Sequence, residues 1–172
     1  MNHHLALALA ALVASAACCQ AIDDVIIAPT RKKLEEEKSR TGSNSSEKSK
    51  EIAYSVKVTS RSFKELQNVT VKYNIYYEDN ELGSKSEGDI KTVSGSQALP
   101  SLLNNKPVDF DTKSVELTKD ALDGGWYFKG GGKNIAKDRV VGIWFRAFDA
   151  EGKQVGEYAN PSTVPKKQKW KE

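Results

Sequence analysis

Beyond residue 19 the chain contains no histidine, no cysteine and no methionine. All of these residues lie at the N-terminus: Met1, His3, His4, Cys18 and Cys19. A Ser-His-Asp or Cys-His catalytic site needs an imidazole with a pKa near neutrality, so the rest of the chain excludes both classes. Zinc and copper sites built on imidazole or thiolate are excluded there for the same reason. We therefore expect a protein without catalytic activity, metal or cofactor.

Long apolar runs are also scarce. The longest, residues 5–17, is shorter than the roughly 20 residues that a spanning helix needs. Residues 1–21 are therefore predicted to be a secretory signal, cleaved after Ala17 or Ala21, although the usual basic residue before the run is missing. The alternative is a bacterial lipoprotein signal with lipid on Cys18 or Cys19, but the residues before them fit poorly. We expect a secreted, periplasmic or cell-envelope protein.

Neither sign of charge dominates the chain. Its 26 basic and 23 acidic residues leave a formal net charge of +3, and the basic residues are scattered among the acids. Because no basic stripe is visible in the sequence, we do not expect nucleic acid as a partner. The length and the apolar fraction allow one domain with a hydrophobic core.

Large apolar side chains are nearly absent from residues 30–50, where Leu34 is the only one. Such a segment buries too little surface to offset the entropy lost on ordering. Residues 22–50 are therefore predicted to be a flexible, charged, Ser-rich linker. At most a marginal helix is expected over residues 31–38, because their basic residues precede the glutamates, which is the weaker order.

From residue 51 onward apolar residues alternate with polar ones, which is the period of a half-buried strand. The pattern is clearest over residues 52–58, 69–77 and 141–147. Turn residues separate these segments, and Gly152 suits the left-handed position of a short hairpin loop. About six to eight short strands predict an all-β, immunoglobulin-like antiparallel β-sandwich over residues 51–165, preceded by the signal peptide and linker.

These strands resemble the exported immunoglobulin-like or fibronectin-III-like domains of bacterial envelope proteins. The resemblance lies in residues 54–58, 69–77 and 141–149 leading into Gly152 and Lys153, and no Cys/Trp/Cys signature accompanies it. It implies a spacer or a binding module, with a protein or polysaccharide partner in the cell envelope or outside the cell.

Two groups of residues approach ligand-binding motifs without matching them. The glycines at 124–125 and 130–132 lack the spacing of a Walker phosphate loop, and the turns at 120–124 and 149–152 lack the spacing of an EF-hand. A carboxylate-pair hydrolase stays open as an alternative because acids are plentiful, although small sandwiches seldom have the deep cleft that it needs.

Aromatic residues supply the main candidate binding site. In the strand at residues 141–147, the alternation that turns apolar residues inward leaves Trp144 on the outer face. A platform for sugar rings or a protein partner would be formed by two pairs: Trp144 with Tyr76, and Trp126 with Phe128. The simpler explanation is that this outer face is buried, for example under residues 22–27.

The predicted C-terminal tail, residues 166–172, joins four lysines to Trp170. This combination suits an anionic membrane surface or an acidic polymer, although charged tails are usually only solvated. Asn44 and Asn68 match the glycosylation motif, which operates only in a eukaryotic secretory pathway. Together these features predict an exported, non-catalytic binding or structural module, with a carbohydrate-binding module as the alternative.

Overall fold

The computed structural model describes residues 24–40 and 44–172. These residues form strands connected by loops, with one helix of four residues near the C-terminus. In chain order the elements are β1 (Val25–Arg40), β2 (Ser45–Ser60), β3 (Leu66–Asp79), β4 (Asp89–Leu102), β5 (Val108–Asp111), β6 (Val115–Leu122), β7 (Ile135–Lys137), β8 (Arg139–Phe148), β9 (Gln154–Asn160) and α1 (Val164–Lys167).

The strands form two antiparallel sheets, which confirms the predicted all-β sandwich. Sheet A has the order β1-β2-β6-β7, and β5 also pairs with β2. Sheet B has the order β4-β3-β8-β9. The β8–β9 hairpin closes as expected: Gly152 has a positive φ of 80°, and its N–H donates to the carbonyl of Asp149 at 3.1 Å.

The main core lies between the sheets and is built from the alternate residues of each strand. The predicted inward face of β3 and β8 is confirmed, because Tyr73, Ile75, Ile143 and Phe145 are all buried. Sheet A contributes the following side chains: Val25, Ile27, Ile52, Tyr54, Val56, Val58, Val115 and Leu117.

The predicted linker is wrong, because most of residues 22–50 is strand. Residues 25–40 form β1, residues 45–50 begin β2, and the two pair along their whole length, with one register shift between Lys33 and Glu36. The marginal helix expected at residues 31–38 is strand as well. The segment is ordered despite its polar composition because its backbone groups pair with those of neighbouring strands. In addition to β1, β2 pairs with β6 from Ser45 to Ile52. The domain therefore includes residues 25–40 and 45–50, which lie outside the predicted range of 51–165.

Sheet A has two halves, which meet near Tyr54. There the second partner of β2 changes from β6 to β5, and Thr112 bridges the change: its Oγ1 accepts from the Tyr54 N–H and its own N–H donates to the Tyr54 carbonyl, both at 2.9 Å. We call residues 25–29, 53–60 and β5 the proximal half. The distal half comprises residues 30–40 and 45–52 with β6 and β7.

The C-terminal segment, residues 161–172, packs on the outer face of sheet B. Residues 22–27 were the predicted cover for this face, but Val25 and Ile27 lie in the main core instead. The C-terminal boundary predicted at residue 165 is therefore wrong as well, because residues 166–172 also belong to the domain. The predicted signal peptide, with Cys18 and Cys19, lies outside the described residues. Among the residues described, no helix is both long and apolar enough for a membrane span.

Candidate anion-binding face

The inner face of the distal half is lined by cations. In β2, Ile52 points into the core, so Lys50 and Lys48 lie on the same side of the strand. In β6, Leu117 points into the core, so Lys119 shares its face. The alternation that supplies apolar side chains to the core in the proximal half thus supplies lysines in the distal half. We call this surface the basic face.

On the basic face, one lysine from each of four neighbouring strands contributes to a row that runs across the sheet. Lys38 of β1 lies opposite Lys48 of β2, Lys48 lies opposite Lys119 of β6, and Lys119 lies opposite Lys137 of β7. Residues directly opposite in antiparallel strands share a face, and like charges in such positions destabilise a sheet. The row therefore places three pairs of opposed lysines side by side, and of these lysines Lys48 also forms an ion pair with Glu36.

The basic face forms the floor of an open groove of about 450 Å³. Its lining includes Ile52 and Leu117, two acids and six basic residues, namely Arg31, Lys33, Lys48, Lys50, Lys119 and Lys137. A second hollow of about 400 Å³ shares Lys48 and Lys119 and adds Lys38, Arg40 and one acid, Glu47. The groove therefore continues toward the end of the β1–β2 pair.

The two acids of the groove leave most of this charge uncompensated. Glu36 forms ion pairs with Lys33 and Lys48. The Asp138 carboxylate is buried and accepts three hydrogen bonds, from the Asn80 N–H at 2.8 Å and from the N–H and Oγ1 of Thr118 at 2.9 and 2.8 Å. Both acids are thus engaged within the fold.

The pKa of Lys50 is affected both by burial and by the neighbouring cations. It is lowered from its usual value of 10.5, first by burial and then by repulsion from Arg31, Lys137, Lys33 and Lys48. A lowered lysine pKa means that the surroundings disfavour the ammonium form. An anion bound in the groove would offset the repulsion, although not the burial.

The outer face of the same strands is acidic. Glu47 of β2 lies opposite Asp120 of β6, and Glu51 lies opposite Glu116. Burial, followed by repulsion from Glu47, raises the pKa of Asp120. The distal half therefore carries most of its lysines on the inner face and several of its acids on the outer face, a separation that the small net charge of the chain does not reveal.

Two of the four aromatic candidates are not available as a binding surface. Trp144 is 4 % exposed and Tyr76 is 1 % exposed, because the C-terminal segment covers them. Trp170 packs edge-on against Trp144 with ring centroids 5.1 Å apart. The Arg146 guanidinium lies 4.2 Å from the Trp144 ring centroid and 4.6 Å from that of Trp170. The prediction that the face is buried is confirmed, with a different segment as its cover.

Backbone contacts hold the C-terminal segment in place. The Tyr76 hydroxyl donates to the carbonyl of Lys169 at 3.0 Å, and the Asn74 side-chain amide donates to the carbonyl of Lys171 at 3.1 Å. Val164 packs so closely over Gly142 that a Cβ there would overlap its side chain. The tail is therefore part of the fold, although its lysines remain exposed.

The other two aromatic candidates lie in the aromatic loop, residues 123–134, which connects β6 to β7. Trp126 is 59 % exposed and Tyr127 is 71 % exposed, whereas the Phe128 ring packs against Gly83. The loop is fixed to the β3–β4 connection by backbone bonds from the Gly83 N–H to the Lys133 carbonyl at 2.9 Å and from the Lys133 N–H to the Ser84 carbonyl at 3.0 Å. It holds flat aromatic side chains in solvent.

Two further kinds of site were considered in the sequence, namely glycosylation motifs and metal sites. Asn44 and Asn68 have exposed side chains. Within the described ranges, no cluster of three or more His, Cys, Asp or Glu residues is arranged to hold a metal ion.

Sequence reasoning missed the basic face because it placed residues 30–50 outside the domain. A signal was present: Glu47, Lys48, Ser49, Lys50 and Glu51 alternate in charge with the period of a strand. Apolar residues alone do not show that period in this segment.

Comparisons with known proteins identify no family for this chain. No protein-family description matches it, and no curated protein does. Two solved structures are similar at low identity. The first, the structural genomics target SoR45, is 8 % identical, with a TM-score of 0.41, over 81 % of this chain and 88 % of its own. The second, the putative ApaA protein from Bordetella pertussis, is 9 % identical, with a TM-score of 0.38, over 79 % of this chain and 91 % of its own.

Proposed function

We propose that the protein is an exported, non-catalytic binding module of the cell envelope or extracellular space that holds an anionic partner on its basic face. The observation that carries this proposal is the row Lys38, Lys48, Lys119 and Lys137. A row of like charges costs folding free energy, so its presence is best explained by a partner that supplies the missing negative charge. The immunoglobulin-like or fibronectin-III-like resemblance and the signal-like N-terminus support the exported setting.

The state of the carboxylates favours binding over the hydrolase alternative. A carboxylate-pair hydrolase needs one carboxyl as an acid and a second as a base or nucleophile, both facing the substrate. In the groove, Glu36 is paired with two lysines and Asp138 is saturated by hydrogen bonds from the fold. Both carboxylates are therefore already bound by groups of the fold.

Retention on immobilised dextran sulfate tests the proposal. We expect the wild-type domain to bind and to elute with salt, because exposed charge pairs are screened. Lys119→Gln and Lys137→Gln should elute at lower salt. Lys57→Gln is the matched control, since Lys57 is exposed on β2 and points away from the core, and it should elute with the wild type. Failure to bind dextran sulfate, or equal elution of all four proteins, would contradict the proposal.

A carbohydrate-binding module remains the second candidate function. The specific observation in its favour is the exposure of Trp126 and Tyr127 in a loop that is fixed at its base. Exposed, flat aromatic rings are suited to stacking against sugar rings.

A further inference from the structure

We infer that the anionic partner is a linear acidic polysaccharide, with carboxylates on successive sugar rings, that lies across the strands of sheet A. This inference rests on the proposed function and specifies the ligand of the same face. It joins the basic face and the aromatic loop into one binding site.

The length of the lysine row indicates a ligand with several charges. Neighbouring strands lie about 4.8 Å apart, so the four lysines from β1 to β7 span about 14 Å at the backbone. A single phosphate or carboxylate would neutralise one or two of them and leave the other pairs opposed. Only a chain of negative charges relieves the repulsion along the whole row.

The direction of the row argues against an acidic peptide. An extended peptide that adds to a sheet pairs its backbone with a free strand edge, so it runs along the strands. Here the row runs across four strands that already pair with one another, so a peptide paired with either outer strand, β1 or β7, would run beside only one of the four lysines. The ligand is therefore held by side chains.

The shape of the site argues against a membrane surface. Of the row, Lys48, Lys119 and Lys137 line a groove that also includes Ile52 and Leu117, and Lys38 lies in the adjoining hollow. A flat lipid surface can contact the exposed ends of these lysines but cannot reach Ile52 and Leu117, which are buried at the base of the groove. A flexible chain one sugar ring wide can enter it.

The aromatic loop favours sugar rings over a plain phosphate polymer. This loop leaves β6, which carries Lys119, and returns in β7, which carries Lys137. Trp126 and Tyr127 are therefore presented at the end of the two strands that complete the row. Their rings can stack on the faces of sugars, a contact that polyphosphate does not offer.

Titration with galacturonic acid oligomers tests this inference, with calorimetry and tryptophan fluorescence as readouts. We expect affinity to rise at least about tenfold from dimer to tetramer as more of the row is covered. Trp126→Ala should weaken tetramer binding about tenfold and remove most of the fluorescence change. Phe63→Ala is the control, because Phe63 is a fully exposed aromatic residue in the β2–β3 connection, and it should leave binding unchanged.

Probes of other chemistry separate the outcomes. We expect neutral galactose oligomers to fail to bind and polyphosphate of equal charge to bind without dependence on Trp126. If polyphosphate or single-stranded DNA binds as tightly as galacturonate and Trp126→Ala has no effect on galacturonate, the polysaccharide inference is overturned while the anion-binding proposal stands. Loss of all anion binding, dextran sulfate included, would overturn both.

Discussion

The two halves of sheet A are built from the same long strands and differ in what lies against their inner face. In the proximal half, the inward positions of β1 and β2 carry Ile27, Val56 and Val58, which are buried against sheet B. In the distal half, the corresponding positions carry Lys38, Lys48 and Lys50. The strand geometry is the same in both halves. Inward positions are apolar where sheet B buries them and basic where they line the groove.

The inward residues of the proximal half stabilise the fold, and those of the distal half destabilise it. Burial of apolar side chains stabilises the proximal half, whereas opposed lysines destabilise the distal half. Sites of function are often retained at the expense of stability. On that ground we assign binding to the distal half and folding to the proximal half.

The outer face of sheet B gives the largest predicted effect, because it is an apolar face covered by the C-terminal segment. Trp144→Ala should cost about 3–5 kcal/mol of unfolding free energy by leaving a cavity under Trp170. Denaturant melts measure this cost. Trp126→Ala, in the exposed loop, is the control and should change stability little. Similar losses in the two variants would contradict the assignment of Trp144 to the fold.

Substitutions within β1 compare the two halves directly. Ile27→Ala should cost about 2–5 kcal/mol because it removes a core side chain. Lys38→Ala, in the distal half of the same strand, should be neutral or slightly stabilising because it removes one opposed lysine pair. Urea unfolding of both variants checks this. Equal destabilisation would mean that the distal half is as important to the fold as the proximal half.

Lys119→Gln should stabilise the protein. Lys119 lies between Lys48 and Lys137, so its neutralisation removes two opposed pairs, each worth up to about 1 kcal/mol and less where salt screens the charges. We expect a higher melting temperature at low salt and a smaller difference at high salt. A lower melting temperature at low salt would show that the row is not repulsive.

Lys50 gives the smallest effect, and it depends on pH. Its folded pKa lies below 10.5, so below that folded pKa the ammonium reduces stability. The loss disappears as pH rises from the folded pKa toward 10.5, because the unfolded chain then binds more protons. Lys50→Met should therefore be more stable than the wild type at neutral pH, and the difference should shrink as pH rises. A difference independent of pH would show that packing, not charge, causes it.

The fold was predictable from the sequence where apolar residues alternate. Ile75 and Phe145 were assigned to the core because their strands have apolar residues at every second position, and burial in the sandwich requires that pattern. The aromatic face of β8 was recognised as needing a cover. The cover itself was not predictable, because Trp170 is a single aromatic among lysines and its contact with Trp144 depends on the tertiary path of the chain.

The basic face could not be found from apolar periodicity. Within residues 30–50, β1 pairs with β2, and β2 pairs in addition with the distant β6. Local composition carries no signal of that second partner. The alternation of charge around Lys48 indicates a strand with two different polar faces. The alignment of Lys48 with Lys38, Lys119 and Lys137 depends on the pairing register of the strands, which the sequence does not reveal.

The central claim is that the lysine row serves a ligand at the expense of stability. The most direct measurement is the melting temperature of wild type and of a variant combining Lys48→Gln, Lys119→Gln and Lys137→Gln, each with and without galacturonate tetramer. We predict that the variant melts higher than the wild type without the tetramer, and that the tetramer raises the melting temperature of the wild type only. A variant that melts lower without the tetramer and is stabilised by it as much as the wild type would contradict the claim.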